Sequence, residues 1–332
     1  MLHRDRAERA VPRAARTTRV VTCILVAFAW VALPVLADPV RNGFDLSRSA
    51  IPTAEILGGG PPRDGIPALD QPKVVPASES PWKDAEIVLG LVVGGEARAY
   101  PVAILDWHEL VNDTLGGRPV LVSYCPLCGT GLVFDRRIDG ETKHFGVSGL
   151  LYRSDLLMYD RETESLWSQI AAKAVTGPMM GRRLDMLRSS FQRWGEWRSE
   201  HPETTVLSKQ TGHRRDYARS PYGGYARSRD LMFPAPYDRR YHPKMPTLGL
   251  RIPGEGARAY PASEVTKAGG RVEDRFLGRT VEVRYDDRRR VFEVDAPSDV
   301  EVVEGFYFAW STFHPNSTIF QAREDGAGST AR

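Results

Sequence analysis

Cys125 and Cys128 are the residues whose type and spacing could do chemistry, in the run Tyr124-Cys-Pro-Leu-Cys-Gly-Thr130. Two thiols two residues apart can ligate a soft or borderline metal, cycle between dithiol and disulfide, or close a small structural disulfide. The last use adds little stability, because so short a loop removes little entropy from the unfolded chain. Redox use normally places Cys-x-x-Cys at a helix N-terminus, where the dipole lowers the first thiol's pKa. Here Gly129-Thr-Gly131 and an alternating apolar stretch follow instead. Metal binding therefore leads, with the other two readings open.

A Cys-Pro-Leu-Cys-Gly turn matches the knuckles of zinc-ribbon and rubredoxin sites, in which turn amides face the sulfurs and the glycine permits the bend. One knuckle supplies two ligands, and past residue 37 the chain has no other cysteine. The remaining ligands must be histidine, carboxylate or methionine, or come from a second copy. His108 is the first choice. It lies on a helix expected over residues 101–112, at the edge of an apolar arc of Ala103, Ile104, Trp107, Leu110 and Val111, a short connection before the cysteines. His144, Asp155, Met158 and Tyr159 follow on a later segment, and a mixed Cys, His and Met set suits copper as well as zinc. Asp155 also reads as a turn or capping residue, and Met158 as core. His201 and His314 precede proline at matching places in the chain and read as structural groups at helix ends.

An internal match places the cysteine turn. Val88-Leu-Gly-Leu and Thr247-Leu-Gly-Leu each lead into Ala-Arg-Ala-Tyr-Pro, ending at Pro101 and Pro261. The match continues through residues 112–124 and 273–285, with a shorter echo at Trp197 and His201-Pro against Trp310 and His314-Pro. Two related units from an internal duplication are expected, over residues 85–210 and 244–322, in a β-rich α+β fold. Each unit reads as a strand, a glycine turn, a strand ending at Tyr-Pro, a helix and an alternating strand pair. In the second unit residues 280–285 and 291–294 alternate with period two across the charged turn from Asp286 to Arg290, which predicts a hairpin. By alignment, residues 120–124 and 132–135 form the same hairpin with Cys125-Pro-Leu-Cys128-Gly at its turn.

The first unit carries an insertion, roughly residues 143–189, with an inserted β-hairpin expected from residues 155–159 and 165–169 across the polar turn from Asp160 to Glu164. A helix is expected over residues 190–201. Residues 211–243 form an irregular connecting loop rich in Gly, Pro, Tyr and Arg, and loops of that length are commonly functional. Residues 38–84 are Pro- and Gly-rich and read as an arm over the surface, and residues 323–332 as a disordered tail. If the protein is an enzyme, the insertion and the long loop would wall a pocket over the cysteine turn, lined by Tyr152, Arg153, Asp155, Tyr159 and Trp167. His144 and Met158 are further candidates for lining it.

The start of the chain reads as an export signal. Six arginines against two acids precede an uncharged apolar run from Val20 to Ala37, with small residues at Val35 and Ala37. Cleavage after Ala37 would leave a periplasmic or secreted protein delivered by the general secretion route. An uncleaved N-terminal membrane anchor is the alternative. The whole chain's formal charge of +3 belongs to this segment, since the remainder is close to neutral. No clustered basic face marks a nucleic-acid partner. The run Asp286-Asp-Arg-Arg-Arg290 mixes signs and reads as a solvated turn.

No Gly-x-Gly-x-x-Gly, phosphate-binding loop, Gly-x-Ser-x-Gly or His-Glu-x-x-His occurs, so no nucleotide cofactor and no serine hydrolase is expected. The blocks Trp107-His-Glu109, Tyr124-Cys-Pro-Leu-Cys-Gly-Thr130, Phe145-Gly-Val-Ser-Gly-Leu-Leu-Tyr152 and Leu157-Met-Tyr-Asp-Arg-Glu-Thr-Glu-Ser-Leu-Trp-Ser-Gln169 resemble a bacterial and archaeal family known as domain of unknown function 3179. The resemblance spans most of the chain past the apolar run. It implies an exported protein bearing this Cys-x-x-Cys block and supplies no catalytic assignment, substrate or oligomeric state. His144 lies in none of these blocks, which weakens it as a ligand.

Overall fold

The computed structural model describes residues 39–323. The expected signal segment and most of the expected tail lie outside the described residues. Helix accounts for 13% of the structure, and the strands form five main sheets arranged as a propeller-like ring. Among the described residues no helix is long and apolar enough to cross a membrane.

Two of the sheets share one plan. In the first, the order is Ser189–Arg193, Ile87–Val93, Glu96–Pro101, Thr205–Leu207 and Val74–Pro76; in the second, Glu301–Phe306, Pro246–Ile252, Gly256–Pro261 and Thr318–Ile319. In both, the strand ending at Tyr-Pro pairs antiparallel with its predecessor and parallel with a short strand from much later in the chain. Each Tyr-Pro strand feeds a short helix, α1 (Val102–His108) or α3 (Ala262–Lys267), and each parallel strand is preceded by another, α2 (Trp194–Glu200) or α4 (Tyr307–Phe313).

The residues of the repeated motif hold these sheets to their neighbours. Arg98 and the Tyr100 hydroxyl both donate to Asp113 Oδ2, at 2.7 and 2.8 Å, and Arg98 Nε reaches Thr205 Oγ1 at 3.0 Å. Arg258 and Tyr260 repeat the arrangement on Asp274, with Thr318 in the place of Thr205. A glycine in each central strand admits a tryptophan: a Cβ on Gly90 would stand 2.3 Å from the Trp197 ring, and one on Gly249 would stand 2.0 Å from that of Trp310. His201 and His314 pack on those two indoles in tilted contacts with ring centroids 4.1 Å apart, as expected of structural groups closing a helix.

The cysteine hairpin belongs to a third sheet, ordered Met186–Leu187, Thr130–Asp135, Arg118–Cys125, Leu110–Leu115 and Leu69–Asp70. The three strands Arg271–Phe276, Arg279–Asp286 and Val291–Asp295 make its smaller counterpart. The insertion supplies the fifth sheet, in the order Lys173–Ala174, Leu166–Ser168, Asp155–Asp160, Phe145–Tyr152 and Ile56–Gly58.

Three expectations need correction. The helix over residues 101–112 stops at His108, because Glu109 takes φ 58° and the chain enters the strand Leu110–Leu115. The helix over residues 190–201 begins only at Trp194, since residues 189–193 pair with Ile87–Val93. Residues 38–84 are more than a surface arm. Ile56–Gly58, Leu69–Asp70 and Val74–Pro76 each extend the edge of a different sheet.

Candidate metal centre and adjoining cavity

Two hairpin turns from different sheets meet at the cysteines. Cys125 ends its strand opposite Thr130, and the turn between them is closed by the Cys128 amide donating to the Cys125 carbonyl at 3.1 Å. Gly129 takes φ 63°, the left-handed conformation in which glycine carries no Cβ penalty. Both sulfurs are buried within the largest apolar cluster, alongside Leu127, Trp167, Phe308 and Trp310.

The facing turn joins Phe145–Tyr152 to Asp155–Asp160, with Tyr152 opposite Asp155. Its two central residues, Arg153 at φ 53° and Ser154 at φ 68°, both lie where a two-residue hairpin turn favours glycine or asparagine. The Ser154 carbonyl accepts from Cys128 Sγ at 3.3 Å and Cys125 Sγ at 3.7 Å, while its hydroxyl donates to the Phe233 carbonyl at 2.7 Å. The next residue, Asp155, is fully buried, and its carboxylate joins the two sulfurs with all ligand atoms within 4.8 Å of one another.

Asp155 Oδ2 accepts from the Ile170 amide at 3.1 Å and from the Ser168 hydroxyl at 3.2 Å. Oδ1 is buried with no hydrogen-bond partner. Burial pushes the Asp155 carboxyl up to about 7, against the opposing pull of the Ile170 and Ser168 donors and, more weakly, of the Leu156 and Gln169 amides. Burial likewise pushes the Cys128 thiol well up, with the Cys125 thiol and the Asp155 charge acting in the same direction. Asp155 and Cys128 thus each resist ionising alone, and a cation beside them would reverse that. Gln169, just past the strand Leu166–Ser168, ties the insertion's sheet to the cysteine hairpin. Its amide donates to Ser123 Oγ and the Thr130 carbonyl, both at 3.1 Å, and its oxygen accepts from Thr130 Oγ1 at 2.7 Å.

His108 stands apart from this cluster. Its ring nitrogens are 2.8 Å from the Pro67 carbonyl and 2.7 Å from the Tyr217 hydroxyl, and burial holds its pKa down at about 4. The third group beside the sulfurs is Asp155. His144 is exposed and paired to Glu162 at 2.8 Å, while Met158 is core. Arg153 pairs with Glu55, Tyr159 donates to Asp64, Trp167 donates to Asp160, and Tyr152 packs edge-on against Phe313.

These blocks are the ones the family resemblance rests on, and the family model for "Protein of unknown function (DUF3179)" matches residues 63–297. The chain belongs to the DUF3179 family. No curated protein and no solved structure matches it. The DUF3179 blocks thus build one locality: Cys125 and Cys128 from one, Asp155 from the segment joining two others, and Gln169 from the last.

A cavity of about 450 Å³ adjoins the knuckle, with Leu127 from between the cysteines in its wall. The insertion contributes Leu150, Leu151 and Leu156, and the long loop Tyr222 and Phe233. The insertion and the long loop thus supply part of the wall, the rest comes from residues 59–66 and the end of α1, and Tyr152, Arg153, Asp155, Tyr159 and Trp167 are not among the lining residues. Sequence reasoning passed over Ser154, Glu109 and Tyr222. Ser154 carried one signal, a non-glycine pair between two alternating strands, whereas Glu109 and Tyr222 carried none beyond lying in a family block and in the long loop.

Proposed function

We propose that this DUF3179 protein holds a zinc ion on Cys125, Cys128 and Asp155. The unpartnered Oδ1 of Asp155, buried beside two buried thiols, carries the reading. An uncompensated buried carboxyl oxygen costs free energy, and a divalent cation would satisfy it while accepting both sulfurs. Two thiolates and one carboxylate suit zinc, whereas copper(I) favours all-soft ligands. Binding would release the two thiol protons and any proton on Asp155. The protein would then be a metal-binding protein or metalloenzyme, acting after export if the arginine-rich start and apolar run serve as a signal. The matched motifs and strand orders support descent of the two units from one duplicated ancestor, with the cysteines in the first alone.

A thiol-disulfide function is the second reading, favoured by one observation: a carboxyl near neutral pKa beside a thiol pair could shuttle its proton. Burial of both sulfurs and the raised Cys128 pKa oppose it, because exchange needs an accessible thiolate.

The test is metal content and free-thiol count of the protein purified without chelator or affinity tag. About one zinc per chain with both thiols reduced is expected, and Cys128→Ser should abolish it while the fold survives by circular dichroism. Metal-free protein with a reversible disulfide would replace this reading with the redox one.

A further inference from the structure

The cavity beside the knuckle has a polar side that the zinc reading leaves unused. Asp106 and Glu109, at the end of α1, both line it, together with Trp107, Tyr222 and Arg215. Glu109 is only 7% exposed. Its Oε1 accepts from the Tyr222 hydroxyl at 3.1 Å, and its Oε2 takes no hydrogen bond from any described residue. The backbone beneath it is strained: Glu109 caps α1 at φ 58°, where glycine is the usual residue. A glutamate at a position that costs backbone energy, with an unpartnered oxygen in the wall of a cavity, is a mark of use rather than of stability.

We propose that this cavity binds an apolar amine, with Glu109 and Asp106 receiving the ammonium group and Leu127, Leu151 and Phe233 packing on the hydrocarbon part. Charge decides against an anion, since two carboxyls line the cavity against one guanidinium. That guanidinium, of Arg215, is exposed and directed at the Trp107 ring, 5.7 Å from its centroid. A neutral apolar ligand would leave Glu109 Oε2 without a partner. Burial raises both carboxyls above their usual range, Glu109 to about 7, and a bound ammonium would favour their charged forms.

The proposal does not rest on the zinc reading, and its test uses the full chain as purified. Calorimetric titration with 2-phenylethylamine, 2-phenylethanol and phenylacetate compares one shape in three charge states. The amine is expected to bind at least about tenfold more tightly than the other two, which is ~1.4 kcal/mol. Glu109→Gln should erase that preference while metal content and circular dichroism stay unchanged. Asp106→Asn, on the more open side, should weaken it by a smaller factor and guards against a folding defect in the first variant. Equal binding of the alcohol or the carboxylate, no binding of the amine, or unchanged amine affinity in both variants would overturn the proposal. A failed zinc measurement with intact amine selectivity would remove the metal site and leave this one standing.

Discussion

The carbonyl of Ser154 lies 3.3 Å from Cys128 Sγ, so the apex of one hairpin accepts from the apex of another. Both turns depend on left-handed backbone, at Gly129 in one and at Arg153 and Ser154 in the other. In the second turn that backbone lacks the glycine that would make it easy. The strained turn orients the carbonyl and delivers Asp155 at once, which accounts for its tolerance in physical terms.

Asp155→Asn preserves volume and removes the negative ligand. Zinc affinity should fall by more than about 100-fold, beyond the 10–100-fold usual for a group outside the ligand shell. Competition titration against a chromophoric chelator reads this, and an affinity within a factor of a few of the parent would remove Asp155 from the ligand set. With zinc in excess, the parent's thermal midpoint should rise and the variant's should not.

Gly249→Ala tests the close approach of Trp310. The indole is fixed by its tilted contact with His314 and by Nε1 donating to Ser317 Oγ at 3.1 Å, so a Cβ 2.0 Å from the ring cannot be met by a side-chain swing. A loss of about 1–3 kcal/mol is expected from overpacking, with Gly90→Ala similar against Trp197. Urea unfolding measures both. A near-neutral result would mean that the sheet and helix part easily there.

The two Arg-Tyr-Asp clusters should differ in worth. Asp113 is 7% exposed and Arg98 13%, whereas Asp274 and Arg258 are 19% and 28%. Removing one partner of a buried pair strands the other charge, at about 3–5 kcal/mol, while solvent reduces the cost for a more open one. Asp113→Ala should therefore destabilise more than Asp274→Ala by roughly 1–2 kcal/mol. Equal losses in parallel unfolding experiments would show that exposure does not set the difference.

The cysteine hairpin was legible because the similar stretch over residues 280–294 carries a charged turn between two alternating strands, and the alignment transferred that turn to Cys125-Pro-Leu-Cys128. What failed were elements defined by partners far away in sequence. Leu110 and Val111 suit a helical arc as well as a strand, and only pairing with Arg118–Cys125 decides for the strand. Ser189–Arg193 is likewise a strand only because Ile87–Val93 lies beside it. The ligand set was legible in half. Proximity along the chain pointed to His108, but its helix faces Pro67 and Tyr217, and the carboxylate beside the sulfurs arrives on a separate sheet. No local pattern could distinguish Asp155 at a strand start from an ordinary turn residue.

Glu109 makes the stability depend on pH in a direction opposite to that of an ion-paired acid. Its carboxyl is raised from 4.5 to about 7 by burial first, with the Tyr222 hydroxyl opposing and the Asp106 charge adding. A folded-state pKa above the unfolded one means that the folded chain holds the proton more tightly. The corresponding stability is fully present below about pH 4.5 and is lost as pH rises through about 7. At ~1.36 kcal/mol per unit the loss is on the order of 3 kcal/mol. Glu109→Gln removes the titrating group and keeps an acceptor for Tyr222, so the variant should gain on the parent by that order between about pH 5 and pH 8. Denaturant unfolding at both pH values gives the comparison. If the two proteins change in parallel, Glu109 is ionised in the folded state at lower pH than its burial implies.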